Sequence, residues 1–127
     1  MADSVASRTI VDGSKLAVLQ FTNVSDGTGE SAVKKVDVSA LLNSPSEVKI
    51  TRIWFSTLGM GVQILFDATA NALAFSLGSD SEGFLDFRSF GGLPNTAGTG
   101  KTGDILFTTV GHTSGDSYSV ILEVSKS

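Results

Sequence analysis

Apolar and polar residues alternate along this 127-residue chain in short runs, and clusters of Gly, Asn, Asp and Ser interrupt those runs at even intervals. Val62, Ile64 and Phe66 fall on one side of an extended segment, with Gln63 and Asp67 on the other. Tyr118, Val120, Leu122 and Val124 repeat the pattern against Ser119, Glu123 and Ser125, and Val48, Ile50 and Trp54 follow it across an intervening Arg52. A period of two sends alternate side chains to opposite faces of a sheet, one dry and one wet. Further strand candidates are Thr9 to Val11, Lys15 to Asn23, Val33 to Val38, Leu73 to Leu77, Phe84 to Phe87 and Ile105 to Val110. No segment keeps a 3.6-residue period for three turns; Ser39 to Asn43 and Asp67 to Ala72 are at most a turn of helix each. The reading is an all-β chain, an antiparallel β-sandwich of about eight strands.

Composition agrees. Val, Ile, Leu and Phe dominate the apolar set, which favours strands, and 14 glycines against 2 prolines supply many turns. The length suits one domain: residues 1–12 read as an N-terminal arm and first short strand, and residues 13–127 as a single sandwich. The first seven residues, small and polar, are expected to be flexible. No apolar run approaches the ~20 residues of a membrane-spanning helix. With 9 basic and 13 acidic residues the net charge is −4, which opposes binding to a phosphate backbone. Lys34-Lys35, the one adjacent basic pair, reads as a solvated strand face. The chain has no cysteine, so its stability is expected from packing or partners. Met1 to Val11 lacks the basic and apolar regions of a signal peptide, so synthesis in a cytoplasm is expected.

Several residue patterns touch on chemistry. Gly98-Thr99-Gly100-Lys101-Thr102 imitates the end of a phosphate-binding loop, but Asn95 stands where the first glycine belongs. That loop also requires a following helix, whereas Lys101-Thr102 leads towards a strand. His112, the sole histidine, sits in the turn-like Gly111 to Asp116 and has neither a second imidazole nor a nucleophile in a recognisable triad pattern. Asp26 with Glu30, and Asp80 with Glu82 and Asp86, lack the spacing of a calcium loop and read as solvated turns. Asn23-Val24-Ser25 spells a glycosylation sequon without a secretory signal. The expectation is a protein that is not an enzyme and uses no cofactor, metal or small-molecule substrate.

Two stretches point instead to contact surfaces. In an extended Phe84 to Phe90, Phe84 and Phe90 share one face and Phe87 joins Leu85 on the other, a pattern that fits burial on both sides by core or by another subunit. Phe90 to Gly103 carries five glycines and a Leu-Pro, too irregular for a strand, and loops of that length are often functional. The expected core comprises Ile50, Trp54, Ile64, Phe66, Phe75, Phe107, Val120 and Leu122. The candidate interface comprises Val5, Ile10, Phe84, Phe87, Phe90 and Leu93.

Specific strings add a resemblance. MADSVASRTIVDG at the start, FTNVSDGTGES and KVDVSALL between residues 21 and 42, IWFSTLGMGVQILFDAT at 53–69 and FGGLPNTAGTGKTGDILFTTVGHTSGD at 90–116 together resemble a family of small tailed-bacteriophage virion proteins. The resemblance spans nearly the whole chain and supplies no catalytic residue. It implies a jelly-roll-like capsid decoration (cement) protein, a homotrimer that partners the major capsid protein on the exterior of the head. A tail, fibre-base or adaptor protein of the virion is the alternative, and a soluble ligand-binding or hydrolytic β-domain a more distant one.

Overall fold

The structure, a computed structural model, describes residues 4–27, 29–43, 45–111 and 113–126. Among these residues the elements are strands β1 (Ser4–Asp12), β2 (Leu16–Val24), β3 (Val33–Val36), β4 (Val48–Leu58), β5 (Gly61–Phe66), β6 (Ala72–Leu77), β7 (Glu82–Asp86), β8 (Ile105–Val110) and β9 (Ser117–Lys126). Two short 3-10 turns, Val38–Ala40 and Arg88–Phe90, are the helical content. The first overlaps the start of the expected Ser39 to Asn43 turn, while Asp67 to Ala72 is a bend leading into β6.

Five strands form one antiparallel sheet in the order β1-β2-β9-β4-β7, and four form a second in the order β3-β8-β5-β6. The pairs β2–β9, β3–β8, β4–β7 and β5–β6 nest inside one another. They amount to one long hairpin wound around a common core, the jelly-roll form of the β-sandwich. The all-β sandwich expected from the alternation is therefore present, with β1 added to the eight-stranded roll at the edge beside β2.

Alternation explains most of the core. Ala17, Leu19 and Phe21 of β2 and Tyr118, Val120, Leu122 and Val124 of β9 face inward from the first sheet. Val62, Ile64 and Phe66 of β5 with Ile105 and Phe107 of β8 face them from the second. The ring of Phe107 meets Phe21 edge-on at 5.3 Å and Tyr118 at 5.8 Å, which ties the two layers near their middle. Such edge-to-face pairs add about 0.5–1.5 kcal/mol beyond the area they bury.

One strand departs from simple alternation and corrects the expected core. Ile50 lies opposite Val124 and Arg52 opposite Glu123, so β4 carries one residue more than its partner at Thr51. A bulge of this kind reverses the facing of everything beyond it. Ile53 thus becomes fully buried, and Trp54, expected inside, turns to the outer face. Phe75 is also only half-buried, packed at the margin of the core.

The segment 90–103 is fastened along its length. Leu93 exchanges two backbone hydrogen bonds with Ile50 (2.7 and 3.1 Å), the Thr69 N–H donates to the Thr99 carbonyl, and the Thr102 N–H donates to the Asp67 carbonyl. It closes at Gly103, whose φ of +90° and position 2.2 Å (from an added Cβ) to the Ser46 carbonyl oxygen leave no room for a side chain. Residues 4–7, expected in a flexible arm, are strand paired with β2 from Ser4–Val24 onward.

Two outcomes follow. Phe107→Ala should lower the free energy of unfolding by about 3–5 kcal/mol, the usual loss for emptying a buried aromatic site. Trp54→Ala should lose clearly less in the same urea titration; equal losses would place Trp54 back in the core. Gly103→Ala should reduce the unfolding midpoint, whereas Gly98→Ala, with open space around it, should leave it nearly unchanged.

Candidate interaction surface

Four of the six candidate interface residues reach solvent. Val5 and Ile10 on β1 are 51% and 48% exposed, Phe84 on β7 is 50% exposed, and Phe90, at the end of the second 3-10 turn, is 65% exposed. The other two are corrected by the fold. Phe87 is buried, with its ring 5.8 Å from Phe75 and 6.0 Å from Phe90. Leu93 is half-buried against the core, held there by its bridge to Ile50. The alternation holds through Phe87, which follows Leu85 to the inner side, and the 3-10 turn Arg88–Phe90 then takes the chain out of the strand and leaves Phe90 exposed.

The exposed residues fall at opposite edges of one sheet. At the β7 edge, Phe84 lies directly across from Trp54 and the rings stack at 5.2 Å, nearly parallel. Arg52 lies over the Trp54 ring at 5.1 Å, so the indole contacts both a guanidinium and a phenyl ring. Beside it an open groove of about 420 Å³ runs across the outer face, bounded by Trp54, Ser56, Glu82, Gly83, Ser119 and Ile121. Sequence alternation missed this aromatic pair because the one mark of the bulge at Thr51, Arg52 standing at an inward position of the apolar pattern, reads as a mere interruption. At the β1 edge, smaller grooves of about 180 Å³ flank both faces of the strand and share Ser7 and Arg8.

The charged side chains mostly fasten the scaffold. Glu30, in the β2–β3 loop, is buried with its carboxylate 2.5 Å from Lys35 Nζ and 2.5 Å from the Tyr118 hydroxyl, which donates to it. Its backbone exchanges hydrogen bonds with Thr109 of β8. Glu123 accepts from both Arg52 Nε (2.7 Å) and Nη2, and the Thr51 hydroxyl lies 2.9 Å from its carboxylate, so the β4 bulge is pinned from β9. Lys126 donates to Asp12 (2.5 Å) and to the carbonyls of Gly13 and Leu42, locking the start of the roll to its end.

The sequence patterns that touched on chemistry resolve in the same way. Lys101 pairs with Glu47 at 2.9 Å and the Thr102 hydroxyl donates to Asp67, and the segment enters β8 rather than a helix. Asp80 accepts from the Gly59 N–H, and Asp86 pairs with Arg88. Asp26 and Glu30 do not share a cation cage, since Glu30 is turned inward to Lys35. Among the described residues no three Asp, Glu or His side chains are placed to hold a metal ion; His112 lies outside them.

Ionisation follows the pairs. Burial pushes the Glu123 carboxyl up, but the Arg52 and Thr51 hydrogen bonds outweigh it and hold the group below its ordinary value. Hydrogen bonds from Arg88 hold Asp86 at about 2, those from Lys126 lower Asp12, and those from Ser39 lower Asp37. Asp104 raises Lys34.

The comparisons with known proteins are distant. No protein-family model and no curated protein matches the chain. Among solved structures, a cupin superfamily protein from Desulfitobacterium hafniense DCB-2 is similar over 99% of this chain and 80% of its own, with 11% identity and a TM-score of 0.36. The enzymatically active domain of tailspike protein 4 from bacteriophage CBA120 is matched by 100% of this chain over 16% of its own, with 11% identity and a TM-score of 0.19.

A carboxyl depressed in the folded state contributes stability that is complete above its unfolded pKa and lost as pH falls through the folded one. The unfolding midpoint should therefore hold down to about pH 4.5, the ordinary value for Glu123, and decline towards about pH 2, where Asp86 protonates. Arg52→Met should flatten part of that decline while lowering the midpoint at neutral pH. A midpoint in Arg52→Met that declines as steeply as the parent's would show that the Arg52–Glu123 pair has no part in it.

Proposed function

We propose that this chain is a structural protein of a tailed-bacteriophage virion, a decoration (cement) protein seated on the outside of the head. The observation that carries the reading is the division of labour on its surface. Ionisable groups are used to pin loops and strand ends, while apolar side chains and strand edges are turned outward at both edges of one sheet. Phe84 over Trp54, with Phe90 nearby in sequence, offers an aromatic contact for a protein surface at one edge. Val5 and Ile10 stand at the other. Aromatic side chains with one face exposed are typical anchors of protein–protein contacts.

The resemblance of the strings at 1–13, 21–42, 53–69 and 90–116 to small phage virion proteins supports the same reading. A jelly roll is a common build for proteins of viral shells, although it serves lectins and cupins equally. Placement on a shell suits a chain of this kind because symmetry repeats a modest contact many times, and linked contacts gain strength from effective concentration. In this reading the β7 side meets the major capsid protein and the protein also associates with itself.

The test is stoichiometric. Purified particles should contain the protein in proportion to the major capsid protein, and shells lacking it should rupture at lower temperature or under milder osmotic shock. Phe84→Ala with Phe90→Ala should weaken its binding to bare shells without altering its circular dichroism. Detection only at the portal or tail, or undecorated shells of equal strength, would refute the head assignment and favour a tail or adaptor component.

A further inference from the structure

The edge formed by β1 differs from the other three among the described residues. β3 is four residues long and carries the exposed Lys34, Lys35 being turned in to Glu30; β7 is five residues bounded by Glu82 and Asp86, and β6 is broken by an extra residue at Ala74. Short length, charge and bulges are the usual ways to stop a free edge from pairing. β1 has nine residues; its own bulge, at Ile10, comes late and leaves Ser4–Thr9 in unbroken register with β2. Within those six residues the sole charge is Arg8.

β1 also overhangs the roll. Val5, Ser7 and Thr9 lie opposite the buried Asn23, Phe21 and Leu19 and therefore point to the inner side, yet all three are exposed. Beside them lies a cleft of about 180 Å³ whose far wall is Leu19, Phe21, Ala40 and Leu41 together with Lys35 and Asp37. A strand added to β1 would complete the backbone ladder and cover this cleft together.

We infer that the occupant is a second copy of this chain, joined β1 to β1 as an antiparallel pair about a two-fold axis at Ser7. The register is limited by geometry, because directly opposed residues of antiparallel strands must lie on the same face. About Ser7, inward Val5 meets inward Thr9 of the other copy, and outward Ala6 meets outward Arg8. A two-fold about Arg8 instead sets two guanidinium groups directly opposite, which is unfavourable. The Ser7 register buries Val5 beside the other copy's Thr9 at the mouth of its cleft, and it repeats the contact in both directions, as a two-fold interface must. A second copy presents the same six-residue edge, and about Ser7 its one charge, Arg8, falls opposite Ala6, so the pair forms with no like charges opposed. The two five-stranded sheets then run on as a single sheet across the pair.

This inference does not depend on the virion reading and is tested on the isolated full-length chain. Sedimentation or light scattering should give a dimer, and Ser7→Pro, which removes an edge N–H, should give a monomer with unchanged circular dichroism. Because the chain has no cysteine, Ser7→Cys adds a single thiol, which should cross-link two copies on mild oxidation; Thr69→Cys, on a distant exposed loop, should not. The Ser7→Cys arm keeps the test open if the proline variant fails to fold. A monomer at tens of micromolar, a trimer, or a dimer that Ser7→Cys does not link would each overturn the proposal.

Discussion

The sandwich depends on one buried contact chain that crosses from sheet to sheet. Phe21 and Phe107 meet edge-on between the layers, Tyr118 packs on Phe107, and its hydroxyl donates to the buried Glu30. A buried carboxylate requires a partner, and Lys35 of β3 supplies it. The chain thus runs from β2 through β8 and β9 to the β2–β3 loop and back to β3. Removing one ionic member leaves the other charged and dry, at a cost of about 3–5 kcal/mol. The aromatic rings set the spacing of the layers, and the ion pair sets the path of the loop that crosses between them.

The same logic operates where the backbone is irregular. The bulge at Thr51 would leave β4 free to slip in register, but Glu123 opposite it holds both the Thr51 hydroxyl and the Arg52 guanidinium. That pinning fixes Ile53 inward and Trp54 outward, which in turn places Trp54 where Phe84 can stack on it. A polar cluster inside the sheet therefore determines an aromatic feature on its surface. At the far end, Gly103 is pressed against the Ser46 carbonyl, and the long connection from Phe90 lies flat over the rim.

Periodicity made the regular parts legible. β2 alternates along its length and β5 and β9 along most of theirs, and the inward residues of β5 and β9 are those that a period of two selects. It misled wherever one extra residue enters a strand, since an insertion changes facing without changing composition. Trp54 is the clear case: its apolar neighbours Val48 and Ile50 suggested an inward position that the bulge reverses. Phe87 lies with Leu85 on the inner side, as the alternation of 84–87 places it, and of the two sources of burial that pattern allowed the core is the one that covers it. Leu93 was obscured because the Gly- and Pro-rich sequence around it hides a segment that bridges back to Ile50. The pairing of β1 from Ser4 onward was also hidden, as Ser4, Ala6 and Ser7 carry little strand propensity and are held by the β2 ladder alone.

A jelly roll closes its core with eight strands, and no residue of β1 belongs to the buried cluster. The strand buries little apolar surface, so its ordering is sustained by hydrogen bonds along one side while its other side faces water. A nine-residue addition of this sort contributes little to the stability of a lone roll, because ordering its backbone costs about 1–2 kcal/mol per residue. Lys126 and Asp12 tie down its end, which keeps the strand registered and its free edge extended. An edge held ready in this way gains its stabilisation when a further strand satisfies the open N–H and C=O groups and covers the exposed Val5, Ser7 and Thr9. The physical cost of maintaining β1 thus points away from the core of the single chain and towards a surface that the chain shares.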